Sequence, residues 1–280
     1  VNYPTRFDRR ETDAALKGSG IECPNLNDYA WRLWDYWERH LDPALFIDRS
    51  LKGAVKGKVV LITGGSSGIG LSAACRFAEA GAITVICARG EDKLAEAVKE
   101  IKDYAGKDAQ VFAYSVDIAE EASCAAFVQK LTEEHGGVDY LINNAGRSIR
   151  RAIEASYDRF HDFERTMQLN YFGSLRVTMG LLPGMVAKKK GHVVNISSIS
   201  VLVNAPRFSA YVASKAALDA WTACASSEFA DQGITFTTVN MPLVRTPMIA
   251  PTKIYDNTPL PKPEEAAAMI IQACVETPVR

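Results

Sequence analysis

The sequence lacks a long apolar run, an excess of charge of either sign and paired cysteines, and each absence excludes a class of protein. The 280 residues carry a formal net charge of −1, which gives no basic field to hold nucleic acid. The six cysteines are widely spaced without a CxxC pair, so no disulfide framework and no metal site are predicted. No apolar run could cross a bilayer, and the first ten residues lack the apolar core of a signal peptide. We therefore expect a soluble, cytoplasmic protein.

The sequence does contain enough apolar residues for a full core, since 48% of them are hydrophobic. Short β-branched runs alternate with longer helical patterns, which predicts a Rossmann-type, doubly wound parallel sheet between two helical layers, a three-layer αβα fold with ligands at the carboxyl ends of its strands. The predicted strands are 59–63, 83–88, 110–116, 138–143, 192–197 and 235–240. A last helix is predicted over 263–275, and the missing strand after it suggests C-terminal truncation.

The first part of the chain follows a different pattern and predicts an N-terminal helical extension. We assign 1–55 to an arm and linker and 56–280 to the Rossmann-fold catalytic domain. Residues 1–26 are polar with glycine and proline, so an extended arm is expected. Asn27 is the expected cap of a helix that runs to Leu41, with three tryptophans on one face. That face either packs on its own domain or forms an interface with another domain or subunit.

A glycine-rich turn between the first predicted strand and its helix predicts a dinucleotide site. The segment 63–70 reads TGGSSGIG, and its glycines let backbone N–H groups approach a pyrophosphate at the positive end of a helix. The second strand ends at Arg89, with no carboxylate for a ribose 2′-hydroxyl. Arg89 together with Ser66 is suited to a 2′-phosphate, which favours NADP(H) over NAD, although a solvated arginine is the alternative. The cofactor residues in this turn are Gly64, Ser66, Ser67, Gly68, Ile69 and Gly70.

Tyr211 and Lys215 stand four residues apart in a helical pattern, so both side chains fall on one helix face. A lysine ammonium beside a tyrosine favours the phenolate and is expected to bring the tyrosine pKa closer to neutrality. The pair is therefore the predicted proton donor of the site.

These motifs resemble the short-chain dehydrogenase/reductase family, which has TGxxxGxG, NNAG and YxxxK at such spacings. The resemblance implies a catalytic tetrad of Asn170, Ser198, Tyr211 and Lys215. Asn170 would complete a proton relay to Lys215, Ser198 would orient the reacting carbonyl oxygen, and Lys215 would also hold the nicotinamide ribose. The loop after the sixth strand departs from the family pattern PGxVxT, because it reads PLVRT. The further cofactor residues implied are Asp117, Asn144, Ala145, Gly146 and Thr246.

Over 142–251 the chain looks like bacterial fatty acyl-CoA reductases, which implies NADPH-dependent reduction of a fatty acyl-CoA thioester to an aldehyde with release of CoA. Arg147, Arg150 and Arg151 follow the fourth strand and either bind CoA phosphates or form a solvated loop. The tryptophan helix resembles the connector of two-domain, alcohol-forming members, so an N-terminal reductase domain is an expected missing partner. Relatives also imply a homo-oligomer.

Two other functions remain open at this point. A reductase of 3-oxoacyl or mycolate-type ketones would need the same tetrad, because only the leaving group differs. The other alternative is a non-catalytic domain that binds NADP(H) or a protein partner. Such a domain would have the same fold but would not catalyse a reduction.

Overall fold

In a computed structural model of the chain, residues 8–22, 24–41 and 48–278 are described. They form two compact units, one up to residue 41 and one from residue 48 onward. Residues 1–7 and 23 of the predicted arm lie outside the described part of the chain.

The smaller unit contains two helices, α1 (Arg10–Leu16) and α2 (Leu26–Tyr36), and a π-helical turn follows over Trp37–Leu41. The expectation of an extended arm was wrong over α1, where good helix formers lie between the glycine and proline breakers. The predicted cap was also displaced. Asn25, in extended backbone, accepts a hydrogen bond from the Asn27 backbone N–H at 3.0 Å, so the helix begins one residue before Asn27.

The predicted tryptophan stripe is present on this helix. The Trp34 and Trp37 ring centroids lie 5.4 Å apart, and Trp31 and Trp34 are 62% and 61% exposed. The tryptophan side chains thus lie on one face of the helix, as the spacing predicted.

The larger unit begins with helix α3 (Leu51–Val55), which Ser50 caps by accepting a hydrogen bond from the Gly53 N–H at 3.1 Å. Val55 is fully buried in the core of this unit. The unit therefore starts several residues earlier than Lys56, where the sequence placed the domain boundary.

Six parallel strands, numbered along the chain, form one sheet in the spatial order 3-2-1-4-5-6, as expected for a doubly wound fold. The first two strands have the predicted bounds, and the other four differ by one or two residues because the hydrogen-bonded ladder, rather than the apolar run, sets the ends. The strands are β1 (Val59–Thr63), β2 (Ile83–Ala88), β3 (Val111–Ser115), β4 (Tyr140–Asn143), β5 (Gly191–Ser198) and β6 (Ile234–Met241).

Helices cover both faces of this sheet and complete the three layers. The helices are α4 (Gly68–Glu79), α5 (Glu91–Ala105), α6 (Glu121–His135), α7 (Phe160–Met167), α8 (Ser174–Lys188), α9 (Ile199–Val203), α10 (Ser209–Glu228) and α11 (Pro263–Glu276). One apolar core packs α3, α4, α5 and α11 on one face, and a second packs α6, α8 and α10 on the other. None of the helices in the described ranges combines the length and the apolar character that crossing a bilayer requires.

Candidate active site

A cavity of about 480 Å³ opens at the carboxyl ends of the strands, where the fold class predicts the ligand. Most of the predicted site residues line it. Four do not, because they lie behind the wall or on other surfaces: Gly70, Arg147, Arg151 and Asn170.

The glycine turn adopts a backbone that only glycine accepts readily. Gly64 and Gly68 have φ of +68° and +56°, and a Cβ on Gly64 would lie 2.9 Å from the Ala145 Cα. Gly70 supports the turn from behind, because a Cβ there would lie 2.5 Å from the Asn144 Nδ2. The turn leads into the amino end of α4, so free N–H groups and the positive helix end face the cavity. This cradle fits a pyrophosphate.

The segment after β4 is tied to the glycine turn by hydrogen bonds. The Thr63 Oγ1 accepts from the Asn144 and Ala145 backbone N–H groups at 3.1 and 3.0 Å, and the Asn144 Nδ2 donates to the Thr63 and Gly64 carbonyls at 3.0 and 3.2 Å. Since these bonds join β1 to β4 where both strands end, the cavity floor is held by a buried polar network.

Arg89 and Asp117 lie together at one end of the cavity. The Arg89 Nη1 is 4.0 Å from the Asp117 Oδ2, and the Arg89 side chain is 68% exposed. An exposed pair at that distance is weak, so the guanidinium can turn toward an anionic ligand at little cost.

Asn170 lies in a π-helical turn, Gln168–Gly173, that connects α7 to α8. It is fully buried, and its Oδ1 accepts from the Arg147 N–H at 2.8 Å while its Nδ2 donates to the Arg147 carbonyl and the Ser214 Oγ at 3.0 and 2.9 Å. A Cβ on Gly146 would lie 3.3 Å from the Asn170 Oδ1 and 3.5 Å from the Lys215 Nζ. The structure thus brings the Asn170 Oδ1 and the Lys215 Nζ close to the same position beside Gly146.

Ser198 ends β5 and faces Tyr211 and Lys215 on α10. The Lys215 Nζ is buried and donates to the Ile196 carbonyl at 2.6 Å, and burial lowers the pKa of Lys215 to about 8. Burial also raises the pKa of Tyr211 above its ordinary value, an effect that its hydrogen bond with Ser198 opposes. The lower Tyr211 pKa expected from the neighbouring ammonium is not found, because burial shifts this pKa upward. Tyr211 is therefore a neutral phenol near pH 7, the form that can donate a proton.

The three arginines after β4 do not form one cluster. Arg150 lines the cavity, whereas Arg147 lines an adjoining groove and its backbone holds Asn170. The Arg151 Nε lies 3.5 Å from the Oδ2 of Asp162, a buried carboxylate that also binds one arginine in α7 and one just before it. These two arginines hold the pKa of Asp162 at about 2. Of the three arginines after β4, Arg150 is thus the one that lines the cavity.

The sequence profile described as short chain dehydrogenase matches residues 58–255. The chain belongs to the short-chain dehydrogenase family. It is accordingly an oxidoreductase, and the match spans the whole of the cavity described above. The sequence had left a non-catalytic role open. Membership of this family of oxidoreductases indicates a catalytic role instead.

Several known proteins are similar to this short-chain dehydrogenase in sequence or structure. A fatty acyl-CoA reductase of Acinetobacter baylyi is 55% identical over 226 residues, which are 81% of this chain and 76% of that protein. A fatty acyl-CoA reductase of Mycobacterium tuberculosis is 42% identical over 243 residues, 86% of this chain and 82% of that protein. Among solved structures, actinorhodin polyketide ketoreductase with NADPH is similar at a TM-score of 0.72 and 28% identity, covering 78% of this chain and 90% of that one.

Sequence reasoning missed the apolar wall of the cavity in this short-chain dehydrogenase. Two segments supply it, one from α9 to the start of α10 and one in the loop after β6. The second carries Thr246 into the cavity, although the glycine of the family pattern is absent there, and the Thr246 Cγ2 would lie 3.3 Å from a Cβ on Gly68. The signal was available as the apolar residues of these two segments. The wall residues are Ile199, Val203, Phe208, Leu243, Met248, Ile249 and Tyr255.

Proposed function

We propose that this short-chain dehydrogenase reduces a fatty acyl-CoA thioester to a fatty aldehyde with NADPH and releases CoA. One observation carries the proposal: a single cavity joins the glycine turn, the Ser198–Tyr211–Lys215 group and an apolar wall. The first part suits a dinucleotide, the second a reacting carbonyl, and the third an acyl chain. The two relatives named as fatty acyl-CoA reductases support this choice of substrate.

In the proposed mechanism, the thioester carbonyl oxygen lies between Ser198 and Tyr211. When bound, the reduced nicotinamide supplies a hydride to the carbonyl carbon. Ser198 donates a hydrogen bond to the oxygen as negative charge develops, and Tyr211 transfers its phenolic proton to it. The Lys215 ammonium then stabilises the phenolate, and Asn170 holds the Arg147 backbone and the Ser214 hydroxyl in place behind it. The product of this step is a hemithioacetal.

Collapse of the hemithioacetal completes the proposed reaction. The Tyr211 phenolate takes back the hydroxyl proton, the carbon–oxygen double bond of the aldehyde forms, and the carbon–sulfur bond breaks. The CoA thiolate leaves and takes a proton from solvent, so the overall reaction consumes one hydride and one proton. No cysteine nucleophile is needed, and Cys87, a thiol in the cavity wall, is unsuited to that role because burial raises its pKa to about 12.

The choice of NADPH rests on Arg89. The glycine turn accepts the pyrophosphate of NAD(H) and of NADP(H) equally. The choice between the two cofactors therefore has to be made at the end of the cavity where Arg89 and Asp117 lie. An exposed guanidinium there provides a bidentate partner for a 2′-phosphate, and Ser66 lines the same cavity.

Arg89→Gln is therefore expected to raise the KM for NADPH by about 10- to 100-fold, the value of one or two charge-assisted hydrogen bonds, and to change the KM for NADH little. Steady-state kinetics with both cofactors at fixed acyl-CoA would measure this. Equal losses with NADPH and NADH would contradict a contact with the 2′-phosphate. Arg76→Gln, which removes one charge from the last turn of α4, is the matched control.

Arg150 is the remaining candidate for an anionic group of CoA, since it is the one arginine of the three that lines the cavity. Arg150→Gln is expected to raise the KM for palmitoyl-CoA about tenfold and to flatten its dependence on salt, with kcat little changed. An unchanged KM and salt response would leave Arg150 as a solvated loop residue. Measuring KM between low and moderate ionic strength for both proteins decides this.

The proposed function is tested by following NADPH oxidation, free thiol and aldehyde together with palmitoyl-CoA. We expect one thiol and one aldehyde for each NADPH oxidised. A second candidate function, reduction of a 3-oxoacyl ketone, is favoured by the structural similarity to a polyketide ketoreductase. NADPH oxidation that occurs only with a 3-oxoacyl thioester, and not with palmitoyl-CoA, and that releases no thiol would establish that function and reject thioester reduction.

A further inference from the structure

We propose that Ser200 is a positioning residue, whose hydroxyl aims the proton of Ser198 at the reacting carbonyl oxygen. The inference rests on the part of the proposed function in which Ser198 contacts this oxygen, and it holds for a thioester or a ketone. Ser200 was not among the site residues expected from the sequence.

Ser198 accepts two hydrogen bonds and donates a third. Its Oγ accepts the Ser200 N–H at 3.2 Å, which makes Ser198 the N-cap of α9, and it also accepts from the Ser200 Oγ at 2.9 Å. The hydrogen bond between Ser198 and Tyr211 lowers the pKa of Tyr211, so the phenol oxygen is the acceptor in it. Ser198, Ser200 and Tyr211 all line the cavity.

The number of donors decides what Ser198 can do. A serine hydroxyl has one proton and two lone pairs, so the Ser200 N–H and the Ser200 hydroxyl together fill the acceptor capacity of the Ser198 oxygen. The proton of Ser198 therefore points away from these two donors, toward Tyr211 and the cavity. Ser198 is thereby prepared as a hydrogen-bond donor before substrate arrives, which avoids reorganisation during the reaction.

The hydroxyl of Ser200 is the part of this arrangement that a mutation can remove cleanly. Ser200→Ala keeps the backbone N–H that caps α9 and deletes only the 2.9 Å contact. Because the capping bond is longer, at 3.2 Å, it leaves the Ser198 hydroxyl free to rotate when the Ser200 hydroxyl is absent. Ser200→Thr retains a hydroxyl on the same carbon position and is the conservative variant.

The test is a double-mutant cycle on the full chain with Ser198→Ala, Ser200→Ala and the double variant. We expect Ser200→Ala to lower kcat about tenfold in the native background and less than twofold in the Ser198→Ala background, since its effect passes through Ser198. NADPH affinity should stay unchanged, and Ser200→Thr should restore most of kcat. Ser227→Ala, on the exposed end of α10, is the matched control.

Two outcomes overturn the inference: equal losses in both backgrounds, which mean that Ser200 acts independently of Ser198, or no loss in the native background. The cycle is measured with palmitoyl-CoA and with a 3-oxoacyl thioester. If only the ketone is reduced, thioester reduction fails as the proposed function while the coupling between Ser198 and Ser200 is still measured on the ketone. The two failures are therefore distinguishable.

Discussion

Tyr211→Phe is expected to lower kcat about a thousandfold, because it removes the one phenolic proton that the proposed mechanism delivers to the carbonyl oxygen. The substitution keeps the ring, its burial and its edge-to-face contact with Phe208, whose centroid lies 6.4 Å away. NADPH affinity and thermal stability should consequently change little. Kinetics with palmitoyl-CoA, together with NADPH binding followed by fluorescence, separates the loss of chemistry from a loss of binding.

Tyr157→Phe provides the control for this result, since Tyr157 is 83% exposed and does not line the cavity. It should have the native kcat. Retention of more than a tenth of native kcat by Tyr211→Phe would show that another group supplies the proton, and the mechanism proposed above would then be wrong.

Lys215→Met is expected to inactivate the enzyme and to make the protein more stable. The buried ammonium has its pKa lowered from 10.5 to about 8, a shift that corresponds to a cost on the order of 3 kcal/mol at neutral pH. The hydrogen bond to the Ile196 carbonyl offsets about 1 kcal/mol of this in the native protein. We therefore expect a gain of about 1–2 kcal/mol, a rise in Tm of about 2–6 °C, and a loss of kcat of about a hundredfold or more.

The pH dependence of stability gives this prediction a defined sign. Between pH 8 and 10.5 the unfolded chain binds a proton at Lys215 that the folded protein has lost, so the contribution of Lys215 to stability should rise with pH in this window. Below pH 8 both states are protonated and the cost is fully present. Since other groups titrate equally in both proteins, the difference in urea midpoint between Lys215→Met and the native protein should shrink as pH rises from 7.5 to 9.5.

Lys190→Met controls for the removal of a lysine from a solvent-exposed position. It should alter neither the urea midpoint nor its pH dependence. If Lys215→Met were less stable than the native protein across this pH range, the buried ammonium would be stabilising, and the lowered pKa would need another explanation.

The local pattern of the sequence was sufficient to predict the architecture and most of the cofactor end of the site. The bounds of β1 and β2 agree with the prediction, and the glycine turn between β1 and α4 lies where it was expected. Both features depend on neighbours along the chain, namely apolar runs and glycine conformations. The prediction of an extended arm was wrong over α1, because it gave the glycine and proline breakers more weight than the helix-forming residues between them.

Long-range packing decided the rest of the site. It separated Arg147, Arg150 and Arg151, which are adjacent in sequence, onto a groove, the cavity and a buried carboxylate. It also raised the pKa of Tyr211, since burial depends on every element that encloses the cavity.

The sequence by itself determined the family and the parallel αβα fold, and it predicted the residues of the tetrad, because fixed spacings on strands and helices specify them. Only the tertiary structure decided which of the three arginines after β4 lines the cavity, that α9 and the loop after β6 contribute an apolar wall, and that Ser200 meets the Ser198 hydroxyl in the cavity that Tyr211 also lines. The physical reason is that burial, electrostatics and cavity shape arise from contacts between segments far apart in the chain, which no local pattern encodes.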